Sequence, residues 1–477
     1  MTDRTSPVHA VPSVTGFGLW YNDSGFQCNG IMTTILNASL IRLMTALIPV
    51  KRVRVRVRRR LLDRARDART ARLVPIVRAR YAVHEQTCRD KLARGERLRV
   101  AFLVCDASMF SAEPVFQAMV DDVRFDPFIA IVPRVTRGEA FLRETLAKTL
   151  ETLAPRYTGK VEALYDPESK VRRSLAGRAD IVFTSIVYSD QTFPDYTSES
   201  LSEQALTVYI PYGYSGPLAA DLRRLVFLPE LALFWQGVVP VESTRAAWVK
   251  ANPLLAGVLM VGGYPKMDRL SRVGRVGNRA KTVLICPHHS LGRGDMKGVA
   301  LSNFLRFSDF FLRLPTLFPD VHFVFRPHPL LFPRLATREW WGERRVAEYR
   351  AALGRLRNVT LQEGGDYFET FVNSDALVHD CGSFFAEYFY TGHPQCYIVE
   401  DNTVLTREFT EFGKRLHRYV AHAQTEEDII EFIRTTVVNG KDLMSEKRQA
   451  FAANEVCLYH PHSVDWVVRK VIERIER

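Results

Sequence analysis

Arg326 and His328 stand two residues apart, directly after an apolar run, in the stretch VHFVFRPHPLL. A buried strand that ends there delivers both to one rim of the sheet. Arginine offers phosphate a planar fork, and a histidine beside it can donate a hydrogen bond or shuttle a proton. Prolines 327 and 329 stiffen the loop. The stretch SDALVHDCGSFFAEYFYTGHP has a related layout: a strand ending at Asp380, a turn with Gly382 and Ser383, then a helix. Free N–H groups and the positive end of the helix dipole would suit an anion, with Gly382 allowing close approach and Ser383 adding a hydroxyl. Glu387 follows one helical turn later, on the same face, where a carboxylate can accept from ribose hydroxyls. The alternative is a plain helix cap with a core-facing glutamate.

Three more stretches carry candidate chemistry. LICPHHSLGRG ends a strand with His288 and His289 and enters a glycine loop containing Arg293. Adjacent side chains diverge, so one of the two is expected to face a cleft, as general base or phosphate donor; a structural pair is the competing reading. No carboxylates stand nearby at ligand spacing, so no metal site is expected. In VGGYPKMDRL, Lys266 can reach a phosphate and Asp268 can cap the following helix, although the composition also suits a hinge. IPYGYSGP closes an earlier strand with Tyr212, Tyr214 and Ser215, placed to touch an acceptor or to line an interface. Asp106 ends the first strand, LRVAFLVCD, on the same side.

These loops need a scaffold that collects strand ends. From Arg97 onward, apolar strand-like runs alternate with helical segments, the texture of an α/β protein. LRVAFLVCD, FDPFIAIVP, ADIVFTS and LTVYIPYG form one series; KTVLICP, VHFVFRPHP, NVTLQEG, DALVHD and PQCYIV form a second after Gly262–Gly263. Two doubly wound domains in tandem are expected, at 97–262 and 263–445, with substrate loops on both walls of a cleft. Residues 446–477 end in HSVDWVVRKVIERIER, whose apolar face predicts a closing helix capped by Ser463.

The charge is uneven. The 477-residue chain carries a formal +12, yet 18 Lys and Arg against five acids fall between Lys51 and Val100, an excess of 13, so the remainder sums to about −1. Residues 1–30 read as a loose leader. Residues 31–96 read as an amphipathic and basic helical extension: the apolar stretch 31–50 is too interrupted to span a bilayer, and with the basic block after it suits an anionic membrane surface, contacted through 31–80. A solvated basic face is the competing reading. No aromatics interleave with the arginines, so nucleic acid is not the expected partner. Seven scattered cysteines without paired spacing, and no signal-like order in residues 1–30, place the expected location in the cytoplasm, peripheral on the inner face of the membrane.

GYPKMD (263–268), RPHP (326–329) and the block at 374–394 resemble, in order and spacing, three motifs of the CDP-glycerol glycerophosphotransferases of teichoic acid and capsule polymer synthesis; the resemblance covers roughly residues 97–440. It implies a GT-B-like fold of two Rossmann-like domains facing a cleft. A CDP-activated polyol phosphate would be bound mainly by the second domain and transferred to a polymer or lipid-linked acceptor, with release of CMP and no cofactor. On this likeness Arg326, His328, Ser383 and Glu387 serve the donor, with Gly382, Lys266, Asp380 and Arg293 around its phosphates. Tyr212 and Tyr214 lie on the acceptor side near Asp106. Teichoic acid polymerases carry a Trp-His-Gly-Thr-Pro type sequence where this chain reads YIPYGYSG, without a histidine. Either the His288–His289 pair supplies the base, as in capsule-locus relatives that this variant resembles, or the acceptor chemistry differs, or the copy is impaired. A UDP-sugar glycosyltransferase or epimerase on the same fold, and a scaffold protein that keeps only the nucleotide pocket, are the alternatives.

Overall fold

Short apolar runs rich in Val, Ile and Phe, bounded by turn residues, make poor helices and good buried strands. In a computed structural model that describes residues 38–136, 138–277, 279–292, 300–401 and 403–477, thirteen such runs form two parallel sheets. The leader 1–30, the first residues of the basic extension and Arg293 lie outside the described residues.

The first sheet contains β1 (Leu98–Val104), β2 (Phe125–Ile131), β3 (Val161–Ala163), β4 (Ile181–Thr184), β5 (Leu206–Tyr209), β6 (Gln236–Val239) and β7 (Leu259–Val261), in the order β3-β2-β1-β4-β5-β6-β7. The second contains β8 (Lys281–Cys286), β9 (Val321–Phe325), β10 (Val359–Leu361), β11 (Ala376–His379), β12 (Gln395–Ile398) and β13 (Ala421–Ala423), in the order β10-β9-β8-β11-β12-β13. Every ladder in both is parallel. This is the expected doubly wound architecture, twice over. Helices cover both faces: along β8, Val283 and Ile285 enter one apolar cluster while Leu284 and Cys286 enter another. In each sheet the strand order reverses beside its first strand, between β1 and β4 and between β8 and β11, where open α/β sheets present a crevice.

The closing helix Ser463–Glu476 buries Val464, Val467, Val471 and Ile475 in the core of the first sheet, not the second that precedes it in sequence. Its cap differs from expectation. Ser463 is already the first helical residue and its hydroxyl donates to Asp268 Oδ1 (2.8 Å), while Asp268 Oδ2 accepts the Val464 N–H (2.8 Å). Asp268 thus caps a helix nearly two hundred residues away rather than its own.

The basic extension supplies the helices Ala38–Ala46 and Lys51–Ala93. Among the described residues, no helix is long and apolar enough to cross a membrane.

Candidate functional site

The carboxyl ends of β8, β9 and β11 meet at the reversal point of the second sheet. After β8 the chain gives His288 and His289; after β9 it gives Arg326 and His328; after β11 it gives Asp380. The three imidazoles form one cluster. Ring centroids lie 4.3 Å apart for His288 and His289, 3.9 Å for the stacked pair His289 and His328, and 5.4 Å for His288 and His328. The sequence expectation that one histidine of the adjacent pair faces the cleft gives way to both joining the third.

Local turns fix two of the tautomers. The Ser290 N–H points at His288 Nδ1 (3.3 Å), and the Leu330 N–H donates to His328 Nδ1 (3.1 Å). A ring nitrogen that accepts a hydrogen bond holds no proton, so each neutral ring carries its proton on Nε2. Burial lowers all three, followed by neighbouring rings and Arg334 for His288, well below the ordinary histidine value, and His289, to about 3, and by Arg334 for His328, to about 4. At neutral pH the cluster is uncharged and rich in donors.

Two guanidinium groups stand by it. Arg326 is 6% exposed; it donates to the Gly365 (2.6 Å) and Asp366 (3.4 Å) carbonyls and lies over the Tyr367 ring, and it pairs with no carboxylate among the described residues. A buried cation with only neutral partners is unusual unless an anion completes it. Arg334, in the short helix Leu331–Leu335, donates to the His289 carbonyl (3.2 Å).

The ring nitrogens of the three histidines come within 4.8 Å of one another, near enough to consider a metal ion. The fit is poor. Metal-binding imidazoles donate their second N–H to an acceptor, whereas His288 and His328 use that nitrogen to accept. Rings stacked at 3.9 Å also lie too close and too parallel to converge on one ion. The donor set suits an anion.

Other expected residues are spent on packing. Asp380, read as a phosphate neighbour, is 1% exposed; its oxygens accept the N–H groups of His288 and Asn303 (2.5 Å each), and burial raises its carboxyl to about 7. It holds the histidine loop through these two backbone donors. The turn at Gly382 and Ser383 is covered by the first-domain loop 212–218. A Cβ on Gly382 would meet Leu218 Cδ1 at 2.7 Å, and one on Gly213 would meet Ser383 Oγ at 3.1 Å. The helix behind it, Ser383–Glu387, has five residues. Leu218 and Gly213 thus pack against this turn, while Ser383 itself is half-buried.

Glu387, read as a ribose ligand, is buried between domains. It accepts from the hydroxyls of Tyr367 and Tyr264 (3.4 Å for the latter), with Lys266 Nζ 4.0 Å away. Lys266 also donates to the Tyr212 carbonyl (3.3 Å) and lies over Tyr367, so it closes the domain junction instead of reaching a phosphate. Tyr214, expected near an acceptor, is core, its hydroxyl donating to the Val456 carbonyl (2.9 Å); Tyr212 is exposed. Asp106 accepts from the Ser108 N–H (2.9 Å) and hydroxyl (2.7 Å), capping a turn after β1. Sequence reading missed Arg334, Ser290, Asn303 and Tyr367. Only Arg334 left a trace, one helical turn beyond RPHP.

No family model matches the chain, and no curated protein matches it. Solved structures do. The wall teichoic acid polymerase TagF, in a variant form soaked with CDPG, aligns with a TM-score of 0.53 at 12% identity, over 87% of this chain and 98% of that one. A putative UDP-N-acetylglucosamine 2-epimerase from Listeria monocytogenes aligns with 0.52 at 12%, over 80% and 97%. The UDP-GlcNAc 2-epimerase from Neisseria meningitidis bound to UDP-GlcNAc gives 0.50 at 14%, over 79% and 100%. These likenesses establish a GT-B-like fold.

Proposed function

We propose that this chain is a nucleotide-dependent transferase of cell-envelope or capsule polymer synthesis. It moves a glycerol-phosphate or related polyol-phosphate unit from a CDP-activated donor to a polymer or lipid-linked acceptor and releases CMP. One observation carries the reading: a buried Arg326 that pairs with no carboxylate among the described residues, beside two Nε2–H donors, at the reversal point of a GT-B-like second sheet. The three ordered motifs described above support the donor class.

Phosphoryl transfer asks for alignment and charge stabilisation more than for covalent help. In this reading Arg326 and the Nε2–H groups of His288 and His328 hold the donor diphosphate and stabilise the departing CMP. The acceptor hydroxyl enters past exposed Tyr212 and the Asp106 side. His289 takes its proton, because the tautomers of the other two make them donors. The test is to incubate the full chain with CDP-glycerol and an oligosaccharide- or lipid-linked acceptor and to quantify CMP. No CMP with CDP-glycerol or CDP-ribitol, despite nucleotide binding, overturns the transferase reading and favours a nucleotide-binding scaffold. Stronger protection from thermal unfolding by UDP than by CDP favours a UDP-sugar enzyme.

The extension supports contact with an anionic leaflet. In the helix Ala38–Ala46 and the turn after it, Ile41 and Thr45 are buried while Leu40, Leu43, Met44, Leu47 and Val50 are exposed, and the run Lys51–Arg60 follows at once. An apolar edge beside a basic run is the pattern of a peripheral membrane anchor. Co-sedimentation with vesicles containing anionic phosphatidylglycerol should fall when Leu43 and Leu47 are both changed to Ser. Unchanged binding rules the anchor out.

A further inference from the structure

We infer that Arg269 is a positioning residue for the anion seat: it holds the carboxylate of Asp366, which would otherwise pair with Arg326 and compete with the donor's diphosphate. Arg269 acts through Asp366 rather than on the donor. The inference deepens the transferase reading of the same site and rests on it for Arg326 as the seat and for the nature of the anion.

The loop that leaves β10 brings the competitor within reach. Gly364 and Gly365 both have left-handed φ, +78° and +74°, and a Cβ on either would meet nothing within 4 Å, so the chain turns sharply in open space. The turn lays the Gly365 and Asp366 carbonyls on the Arg326 guanidinium and the Tyr367 ring against it. The Asp366 side chain therefore springs from a residue whose own carbonyl stands 3.4 Å from Arg326 Nη1, and it is 52% exposed. Carboxylate and phosphate offer a guanidinium the same pair of oxygens. Yet both carboxylate oxygens are turned elsewhere: Oδ2 accepts from Arg269 Nη2 (2.5 Å) and Oδ1 from the Phe368 N–H (3.0 Å).

Arg269 is itself fixed from two further sides. It lies in the segment Pro265–Arg272 at the domain junction, with its guanidinium over the Phe368 ring, 4.4 Å from the centroid. Its Nη1 meets Glu113 Oε2 (3.3 Å), at the start of the first-domain helix Glu113–Asp121, and Glu113 is shared with Arg156 (2.5 Å) and the Tyr157 hydroxyl. The rings of Tyr367 and Phe368, which carry Arg326 and Arg269, stack at 4.8 Å. Two arginines thus stand over neighbouring rings with one aspartate in reach of both. Arg269, anchored by the first domain, takes the carboxylate and leaves Arg326 its charge. A pair this exposed adds little to stability, so its loss should register in anion affinity.

The experiment is isothermal titration of the full chain with CDP, and separately with inorganic pyrophosphate, for wild type, Arg269→Gln, Asp366→Asn and the double variant. Arg269→Gln should weaken CDP binding about tenfold, the scale of one charge-assisted bond. Asp366→Asn alone should change it by less than about threefold, because that carboxylate is already occupied. The double variant should bind within about threefold of wild type. This rescue is the decisive reading: a merely structural role, or a plain loss of positive charge, makes the two changes additive. If Arg269→Gln does not fold, Arg269→Met, which keeps an apolar stem on Phe368, takes its place in the cycle. Unchanged CDP affinity in the Arg269 variant, or a loss that Asp366→Asn does not restore, overturns the inference and leaves the transferase reading standing. Rescue seen with pyrophosphate in a protein that does not bind CDP keeps the role of Arg269 and removes the CDP reading. If neither ligand binds wild type, both fall.

Discussion

The second sheet carries two groups of buried neutral histidines, one at its carboxyl-end rim and one on its other flank, and they share more than residue type. At the rim, His288 and His328 accept backbone N–H bonds from residues two positions on. His379, at the end of β11, does the same with Cys381 (3.2 Å). Burial lowers His379 to about 3 and, with His422 and His379 as lesser causes, His417 to about 2, much as it lowers the rim group. The surroundings separate them. His417 is enclosed by the rings of Phe385, Tyr397 and Phe409, whereas the rim group faces Arg334 and has Arg326 on the next strand end. Tautomer and pKa therefore do not mark a site by themselves. A buried guanidinium beside the rings does, here that of Arg326, which pairs with no carboxylate among the described residues.

The largest way to break that comparison is to remove the rim's charge or its donor. Arg326→Ala and His328→Ala should each lower CMP release by about 100- to 1,000-fold, the usual cost of one preorganised donor to a developing charge. Their melting temperatures should stay within a few degrees of wild type. His379→Gln and His417→Leu should leave the rate within about threefold, measured in the same assay. Equal rate losses at rim and flank would erase the distinction.

Next in size is Asp380→Asn. The carboxylate serves two backbone donors, and an amide has one oxygen for them, so either the His288 or the Asn303 N–H loses its acceptor. The cost should be about 1–3 kcal/mol in urea unfolding, with a rate loss because the His288 loop shifts. A variant with full stability and full rate would show that the loop holds itself.

The flank then gives the cleanest pH effect. His417 titrates near 6.5 in the unfolded chain and at about 2 in the fold, so the unfolded state takes up a proton that the fold refuses. Stability is complete above pH 6.5 and is lost as pH falls below it, by about 1.4 kcal/mol per unit, or about 2 kcal/mol at pH 5. His417→Leu should reduce the drop in unfolding free energy between pH 7 and pH 5 by that amount. An unchanged drop would mean that His417 titrates normally within its ring cage.

How much of this the residues announced depends on the scale of the signal. β1, β2, β8 and β9 are mostly apolar, each with only one or two interruptions, and their strand character is plain in the sequence. β6 contains a glycine, and β7 and β13 have three residues each, so no period forms and only pairing with a neighbour makes them strands. At the site, Arg326 and the histidines could be read because chemistry-bearing side chains follow directly on strands. The fates of Asp380, Glu387 and Lys266 could not. Each is a polar residue whose partner lies across the fold, at His288, Tyr264 and Tyr212, and sequence order holds no record of such partners. The resemblance to a donor-binding motif pointed to Ser383 and Gly382, and the structure packs Leu218 against Gly382, a neighbour that sequence order does not announce.

The smallest predicted effect tests that last point. Ser383 is half-buried and lies against Gly213, and the turn before its helix packs on Leu218, so a phosphate could approach its hydroxyl from one side only. Ser383→Ala removes one oxygen from a packed contact and should cost less than about 1 kcal/mol of stability. CDP affinity, measured by the same titration as for the wild type, should stay within about twofold. A tenfold weaker CDP complex would carry a different message: that the loop 212–218 lifts when donor binds, that the turn after β11 then joins the rim as an anion seat, and that the contrast between spent and unspent polar residues holds only while the two domains are closed.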